Sequence, residues 1–300
     1  MTYFTTTIKM KKLITLSIIL MTGFFVKAQS NDELLETAIK ALDKGRNVTA
    51  MDLFSSYIEK EKSNPTAYFG RAKATYWVWR LRDQEDSTLL KSYLSDIYTS
   101  FELDSTNSDC NYWIAENIEK SKDLNNAITY YNRAIKYDGE RERFYRSRAY
   151  CYMNLGLFSK AIEDFKLSNK LLDKDIKKSL EEDNFSKMSL CYAKIDNFNQ
   201  AITSIKKSIK SNPTNNIYRL YYATYLALLD KPQKSLKTYN HLITKNPYLG
   251  IAHLFIGNIY NNENKKELAE SHYSKARELG FEVNEKTKSI KNQVDLLLYK

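Results

Sequence analysis

This chain has little of what catalytic sites and loop-rich domains are made from. Eight Gly and four Pro in 300 residues leave few sites for tight turns and none for a flexible linker, a composition that suits an all-helical chain. The three Cys are odd in number, too few for a disulfide framework, and no two have zinc spacing. The three His, His241, His253 and His272, are expected to share no helix face at metal-ligand spacing. No Gly-rich phosphate loop follows a strand, because no strand pattern is evident, and no Ser has a His and an orienting acid close by. The acid run Glu181-Glu182-Asp183 reads as a solvated helix start rather than a catalytic dyad. The expectation is a non-enzymatic protein that uses neither metal nor cofactor.

Long apolar runs are also scarce. Leu13 to Val26 has 14 residues, short of the roughly 20 that a membrane span needs. Lys9, Lys11 and Lys12 precede it, and Val26-Lys27-Ala28 places small or aliphatic side chains at both positions that a signal peptidase reads. Residues 1–28 are therefore expected to be a secretory signal peptide cut after Ala28, an uncleaved anchor being the alternative. Met10 begins a more typical signal than Met1, and Gln29 is not the Cys that lipid attachment requires. Without its signal the chain spans no membrane and keeps a formal charge of +6 in place of +10. Export and so modest a surplus argue against nucleic acid as partner, and a periplasmic or secreted location in a bacterial envelope is expected.

What the chain does have is a period. From Ser108 to Asp175 one 34-residue pattern is written twice, Ala115, Ala127, Tyr131 and Ala134 returning as Ala149, Ala161, Phe165 and Ser168. Small residues at fixed offsets in such a period are the mark of a helix–turn–helix unit that stacks on copies of itself. The pattern resembles the tetratricopeptide repeat family, in which positions 8, 20 and 27 are small, position 24 is large and position 32 is often Pro. Position 8 here reads Ala38, Ala72, Ala115, Ala149, Ser189, Ala223, Gly257, and position 24 reads Phe54, Ile97, Tyr131, Phe165, Ile205, Tyr239, Tyr273. Position 20 is small except at Tyr93, position 27 is large at Tyr57 and Leu242, and Pro213 and Pro247 fill position 32.

The resemblance implies an all-α fold, a right-handed α-solenoid of about seven repeats at 31–64, 65–107, 108–141, 142–175, 182–215, 216–249 and 250–283. Repeats grow without dividing, so one continuous solenoid over 29–283 is expected. The second repeat carries an excess near Gln84–Ser92. A further excess, about Ile176–Glu181, is expected to extend the second helix of repeat four. Ile290, Val294, Leu297 and Leu298 predict a helix over 284–300 that caps the open end of the stack, docking to a partner helix being the alternative. Cys151 and Cys191 share position 10 of neighbouring repeats, a separation of roughly 8–10 Å or more. That exceeds disulfide reach, so buried thiols are expected.

Binding is the remaining chemistry. In this family the concave groove is lined from positions 2, 5, 9, 12 and 13 of the first helices. The resemblance thus implies a groove formed by Phe69, Lys73, Tyr76 and Trp77 in repeat two, Tyr112, Glu116 and Lys120 in repeat three, and Arg143, Arg146, Tyr150 and Asn154 in repeat four. Leu220 and Thr224, then Leu254, Asn258, Asn261 and Asn262, continue it through repeats six and seven. Aromatics with Arg are the stuff of protein-binding hot spots, so the expected partner is a protein or peptide, acidic or aromatic. The family's clamp for a terminal carboxylate is missing, Leu35 and Ile39 standing where it wants Lys and Asn. A subunit that captures a small molecule or oligosaccharide in the cell envelope is the alternative function.

Overall fold

The computed structural model describes residues 30–82, 86–172, 177–247 and 249–298. The expected signal peptide and part of the excess in repeat two lie outside them. Among the described residues the chain is all α-helix, with one 3-10 turn and no strand, and no helix is long and apolar enough to cross a membrane. The described residues divide into two compact units, one up to Ser105 and one from Thr106 onward.

The first unit holds α1 (Asn31–Asp43), α2 (Asn47–Lys60), α3 (Pro65–Leu81) and α4 (Ser87–Leu103), each packed on the next. The second holds five further antiparallel pairs, α5 (Ser108–Lys120) with α6 (Leu124–Tyr137), α7 (Glu142–Asn154) with α8 (Phe158–Leu171), α9 (Lys177–Lys194) with α10 (Phe198–Ser211), α11 (Asn216–Leu228) with α12 (Pro232–Lys245), and α13 (Gly250–Asn262) with α14 (Lys266–Glu278). A 3-10 turn at Ile290–Asn292 and the short α15 (Gln293–Leu298) follow.

Local chemistry sets these boundaries. Ser30 and Glu33 form a reciprocal capping box at α1, and the side chains of Asn107, Asp123, Asn197 and Asn215 accept N–H groups at the starts of α5, α6, α10 and α11. The turn inside each pair is more uniform than its sequence. Residue 15 of the repeat is left-handed at Gly45, Lys122, Gly156, Asp196, Asp230 and Asn264, with φ between 53° and 74°. In five of these turns the next N–H reaches back to a carbonyl five residues earlier, as Arg46 does to Ala41 and Leu157 to Tyr152, closing a Schellman-type end. Repeat two carries most of its excess in its helices, both of which run to 17 residues where the other pair of the same unit has 13 and 14.

The columns of small and large residues meet between the helices. Ala38, Ala72, Ala115, Ala149, Ser189 and Ala223 at position 8 are wholly inaccessible, and so are Phe54, Ile97, Tyr131, Phe165, Ile205 and Tyr239 at position 24. The fit is close: a Cβ on Gly257 would lie 2.6 Å from Cδ1 of Tyr273. The exceptional large residues, Tyr57, Tyr93 and Leu242, are also buried. Cys110, Cys151 and Cys191 are buried and form no disulfide. Burial pushes the Cys191 thiol up to about 12, and burial, then the Glu119 charge, does the same for Cys151.

Two elements differ from expectation. The excess between repeats four and five does not extend α8, because Leu172 turns to extended backbone and buries its side chain, ending the helix at Leu171. Residues 177–181 instead lengthen α9 to 18 residues. The C-terminal segment is not one helix over 284–300: Asn284 and Thr287 close a side-chain-locked turn, and only Gln293–Leu298 is α-helical.

Candidate first-helix binding face

In the first unit the proposed groove residues lie along α3. Phe69 is buried, with the Lys73 ammonium 4.8 Å from its ring centre. Tyr76 packs against Trp77, Trp79 and Tyr93 with centroids 5.4–5.9 Å apart. The Arg80 guanidinium lies 5.5 Å from the Trp77 ring, and Trp77 remains 44% exposed. Phe69 therefore serves packing, and Trp77 is the large apolar surface this cluster offers.

In the second unit the proposed residues are tied together across successive first helices. The Arg143 guanidinium sits 5.0 Å over the Tyr112 ring and pairs with Asp109 one repeat earlier. Tyr112 is buried, stacks on Phe144 at 5.0 Å, and donates its hydroxyl to Glu116 at 2.7 Å, with Ser147 Oγ at 3.4 Å. Arg146 pairs with Glu142 at 3.9 Å. Tyr150 meets Phe165 edge-on at 5.5 Å and donates its hydroxyl to Asp183 of the next repeat. Burial, then the neighbouring carboxylate, holds both tyrosines well above the ordinary phenol range, so they are neutral donors. Asn154 is exposed at the end of α7.

Sequence reasoning missed the acids. Asp109, Glu142 and Asp183 answer Arg143, Arg146 and Tyr150, so this face is a mixed array of carboxylate, guanidinium and phenol and not simply basic. Glu182 accepts the Tyr218 hydroxyl at 2.7 Å and an Asn212 N–H at 3.1 Å. Glu182 and Asp183 of that run are thus bonded residues inside α9, which begins earlier at Lys177, and are not a solvated helix start. A signal was available: partners on adjacent first helices lie 33–36 positions apart, one period, as in Asp109 with Arg143, Tyr150 with Asp183 and Glu182 with Tyr218.

Further along, residues 290–298 pack on the first helices. The 3-10 turn lies against α11 and α13, and α15 lies against α9 and α11, all first helices. Val294 joins the apolar cluster of Ala193, Tyr218 and Tyr225, and Leu297 joins that of Leu190, Leu220 and Leu254. Asp295 pairs with Lys194. Asn258 donates to the Thr287 carbonyl at 2.8 Å and accepts the Tyr273 hydroxyl at 3.0 Å. Leu220, Thr224, Leu254 and Asn258, read as groove positions, are all buried.

The histidine expectation is also corrected. Repeat position 4, on α13, faces repeat position 23, on α14, which brings Nδ1 of His253 and Nδ1 of His272 to 3.1 Å, with His253 Nε2 3.3 Å from the Pro247 carbonyl. Among the described residues no group of three or more His, Cys, Asp or Glu is arranged to hold a metal ion.

Two stretches match the tetratricopeptide repeat family, residues 120–168 and 185–215. None of the curated proteins compared matches the sequence. Among solved structures, the C-terminal part of a tetratricopeptide repeat-containing protein from Cytophaga hutchinsonii superposes with a TM-score of 0.59 at 20% identity, over 84% of this chain and 97% of that one. A tetratricopeptide repeat protein from Parabacteroides merdae gives 0.51 at 18% identity, over 90% of this chain and 100% of its own. YrrB, a tetratricopeptide repeat protein with an unusual peptide-binding site, gives 0.51 at 15% identity, over 61% and 92%. At these identities the likeness speaks for fold alone. The fold is all-α, with consecutive helix pairs packed as in a tetratricopeptide repeat solenoid, an architecture that typically serves as an interaction scaffold.

Proposed function

We propose that this protein is an exported, non-enzymatic scaffold that binds a partner protein or peptide on the first-helix face of its repeats. The observation that carries the reading is the array on α5, α7 and α9, where Asp109, Arg143, Tyr150 and Asp183 are held in place by ties from one repeat to the next. Side chains already ordered lose little freedom when a ligand arrives, which leaves more of the contact energy for affinity. Arg143 and Arg146 are only partly buried, so their guanidinium groups can exchange an internal carboxylate for one from the partner. An acidic segment with an aromatic residue fits this chemistry, and the peptide-binding site named for YrrB supports a peptide ligand. The basic start, apolar run and small residues of 1–28 support export.

The test is affinity capture by residues 29–300 from an envelope extract of the source organism. Arg143→Ala with Arg146→Ala should abolish capture of a reproducible partner while the far-ultraviolet circular dichroism stays unchanged. Undiminished capture by that folded variant would overturn the assignment of this face.

A further inference from the structure

The C-terminal segment sits where a ligand of such a groove would sit. It runs against the order of the repeats, Ile290–Asn292 beside α11 and α13 and then Gln293–Leu298 beside α9 and α11. Its contact chemistry is that of a helix laid in a groove, with two aliphatic anchors three residues apart, Val294 and Leu297, 5% and 3% exposed. Between them Asp295 meets Lys194.

The same segment is an imperfect occupant. Both amide atoms of Gln293 are buried without a hydrogen-bond partner, a costly arrangement that a better ligand would avoid. Two open cavities lie beside the segment. One, of about 480 Å³, lies beside Asn258, Asn261, Asn262 and Ile290. The other, of about 440 Å³, lies beside Lys194, Leu228 and Val294. A helix of six residues has no stability of its own and lasts only while docked.

We propose that the face of α9, α11 and α13 is a binding groove for a short helical segment of the partner that carries an aliphatic–acidic–x–aliphatic pattern, and that residues 290–298 occupy it until such a segment displaces them. The proposal rests on the protein-binding reading above and names the partner's chemistry at a second part of the same face. A tethered occupant competes at an effective concentration near millimolar, so the free groove population is small and apparent affinity for an external peptide falls by that fraction.

The experiment uses residues 29–300 and a fluorescein-labelled peptide of residues 284–300, read by fluorescence anisotropy. Val294→Asp with Leu297→Asp should release the tail and tighten peptide binding at least tenfold over the unsubstituted chain. Adding Lys194→Glu should remove that gain, and a peptide carrying Asp295→Lys should restore it. An unrelated helical peptide with the Val-Asp-x-Leu pattern should bind the released chain, and its Asp→Lys version should not. Should the doubly substituted chain lose helix content, amide hydrogen exchange of the unsubstituted chain decides: residues 293–298 should open at least a hundredfold more often than α11. Equal peptide binding with and without the tail substitutions, binding of the two unrelated peptides alike, or tail amides as protected as α11 would overturn the proposal. None of these arms involves Arg143 or Arg146, so failure here and failure of the capture experiment are separate results.

Discussion

Replacing Arg148 with Met should destabilise repeat four far more than loss of a surface ion pair would. Arg148 on α7 grips Asp164 on α8 in a bidentate pair, Nε to Oδ2 at 2.8 Å and Nη2 to Oδ1 at 2.7 Å, and its remaining nitrogen reaches Asn132 at 2.6 Å. The two side chains are 17% and 5% exposed, so solvent screens the pair little. Met keeps most of the apolar stem but leaves the Asp164 carboxylate buried without its cation, which costs about 3–5 kcal/mol. The cation–π contacts to Tyr145 and Tyr152, each at 5.7 Å, add roughly 0.5–1 kcal/mol apiece. For a chain of this size the melting temperature should fall by about 8–28 °C. Because a solenoid unfolds by repeats, native-state hydrogen exchange of α7 and α8 is the sharper measure than one global midpoint. The control is Arg148→Met with Asp164→Leu, which removes both charges and should recover most of the loss. If the double variant is as unstable as the single one, or the single one melts with the unsubstituted chain, the pair is not the lock it is taken to be.

Two further outcomes follow from local geometry. Lys122 is left-handed at φ 65°, a conformation costing an L-residue about 1–2 kcal/mol, part of which Gly returns as unfolded-state entropy. Lys122→Gly should therefore raise the urea midpoint by roughly 0.5–1 kcal/mol of stability, and Lys122→Ala should not; equal effects would refute the turn assignment. At the His253–His272 pair, burial lowers both imidazoles below the ordinary 6.5, with the Lys275 charge adding to it at His253 and the His253 charge at His272. The folded chain then binds fewer protons than the unfolded one, so this contribution is present above the ordinary imidazole range and is lost as pH falls through the depressed values. Melting between about pH 7.5 and 5.5 should drop further for the unsubstituted chain than for His272→Gln, and parallel curves would show that the pair is not held neutral.

How much of this was legible in the sequence depends on whether the information repeats. The columns at positions 8 and 24 recur seven times, so Ala149 under Phe165 could be placed from spacing alone, and burial bears it out. The left-handed turn at position 15 is equally regular in the backbone, yet Gly, Lys, Asp and Asn all occupy it, so composition hid a feature that geometry conserves. The acids of the binding face lay one period from their partners, but outside the lining positions read. His253 and His272 belong to different helices, and only the antiparallel pairing of α13 with α14 makes them neighbours. The tail was read correctly as apolar at Val294 and Leu297 but not as to which surface it covers. A single segment packed against three repeats has no period to betray it.

The ties in this structure fall into two sets that face different events. Arg71 with Asp96 and Arg148 with Asp164 join the first helix of a repeat to its own second helix at equivalent positions, and both acids are buried. Asp109 with Arg143, Tyr150 with Asp183 and Lys194 with Asp295 lie on the first-helix face and stay partly open to water. Breaking the first kind strands a charge in the interior and unlatches a helix pair. Breaking the second exposes both partners to solvent or to another ligand's groups, at a cost nearer that of surface pairs, about 0–1 kcal/mol. A ligand that enters along the first helices meets only the second kind. On the proposed function, the tail and these carboxylates would then give way to those of a partner without loosening the stack that presents them.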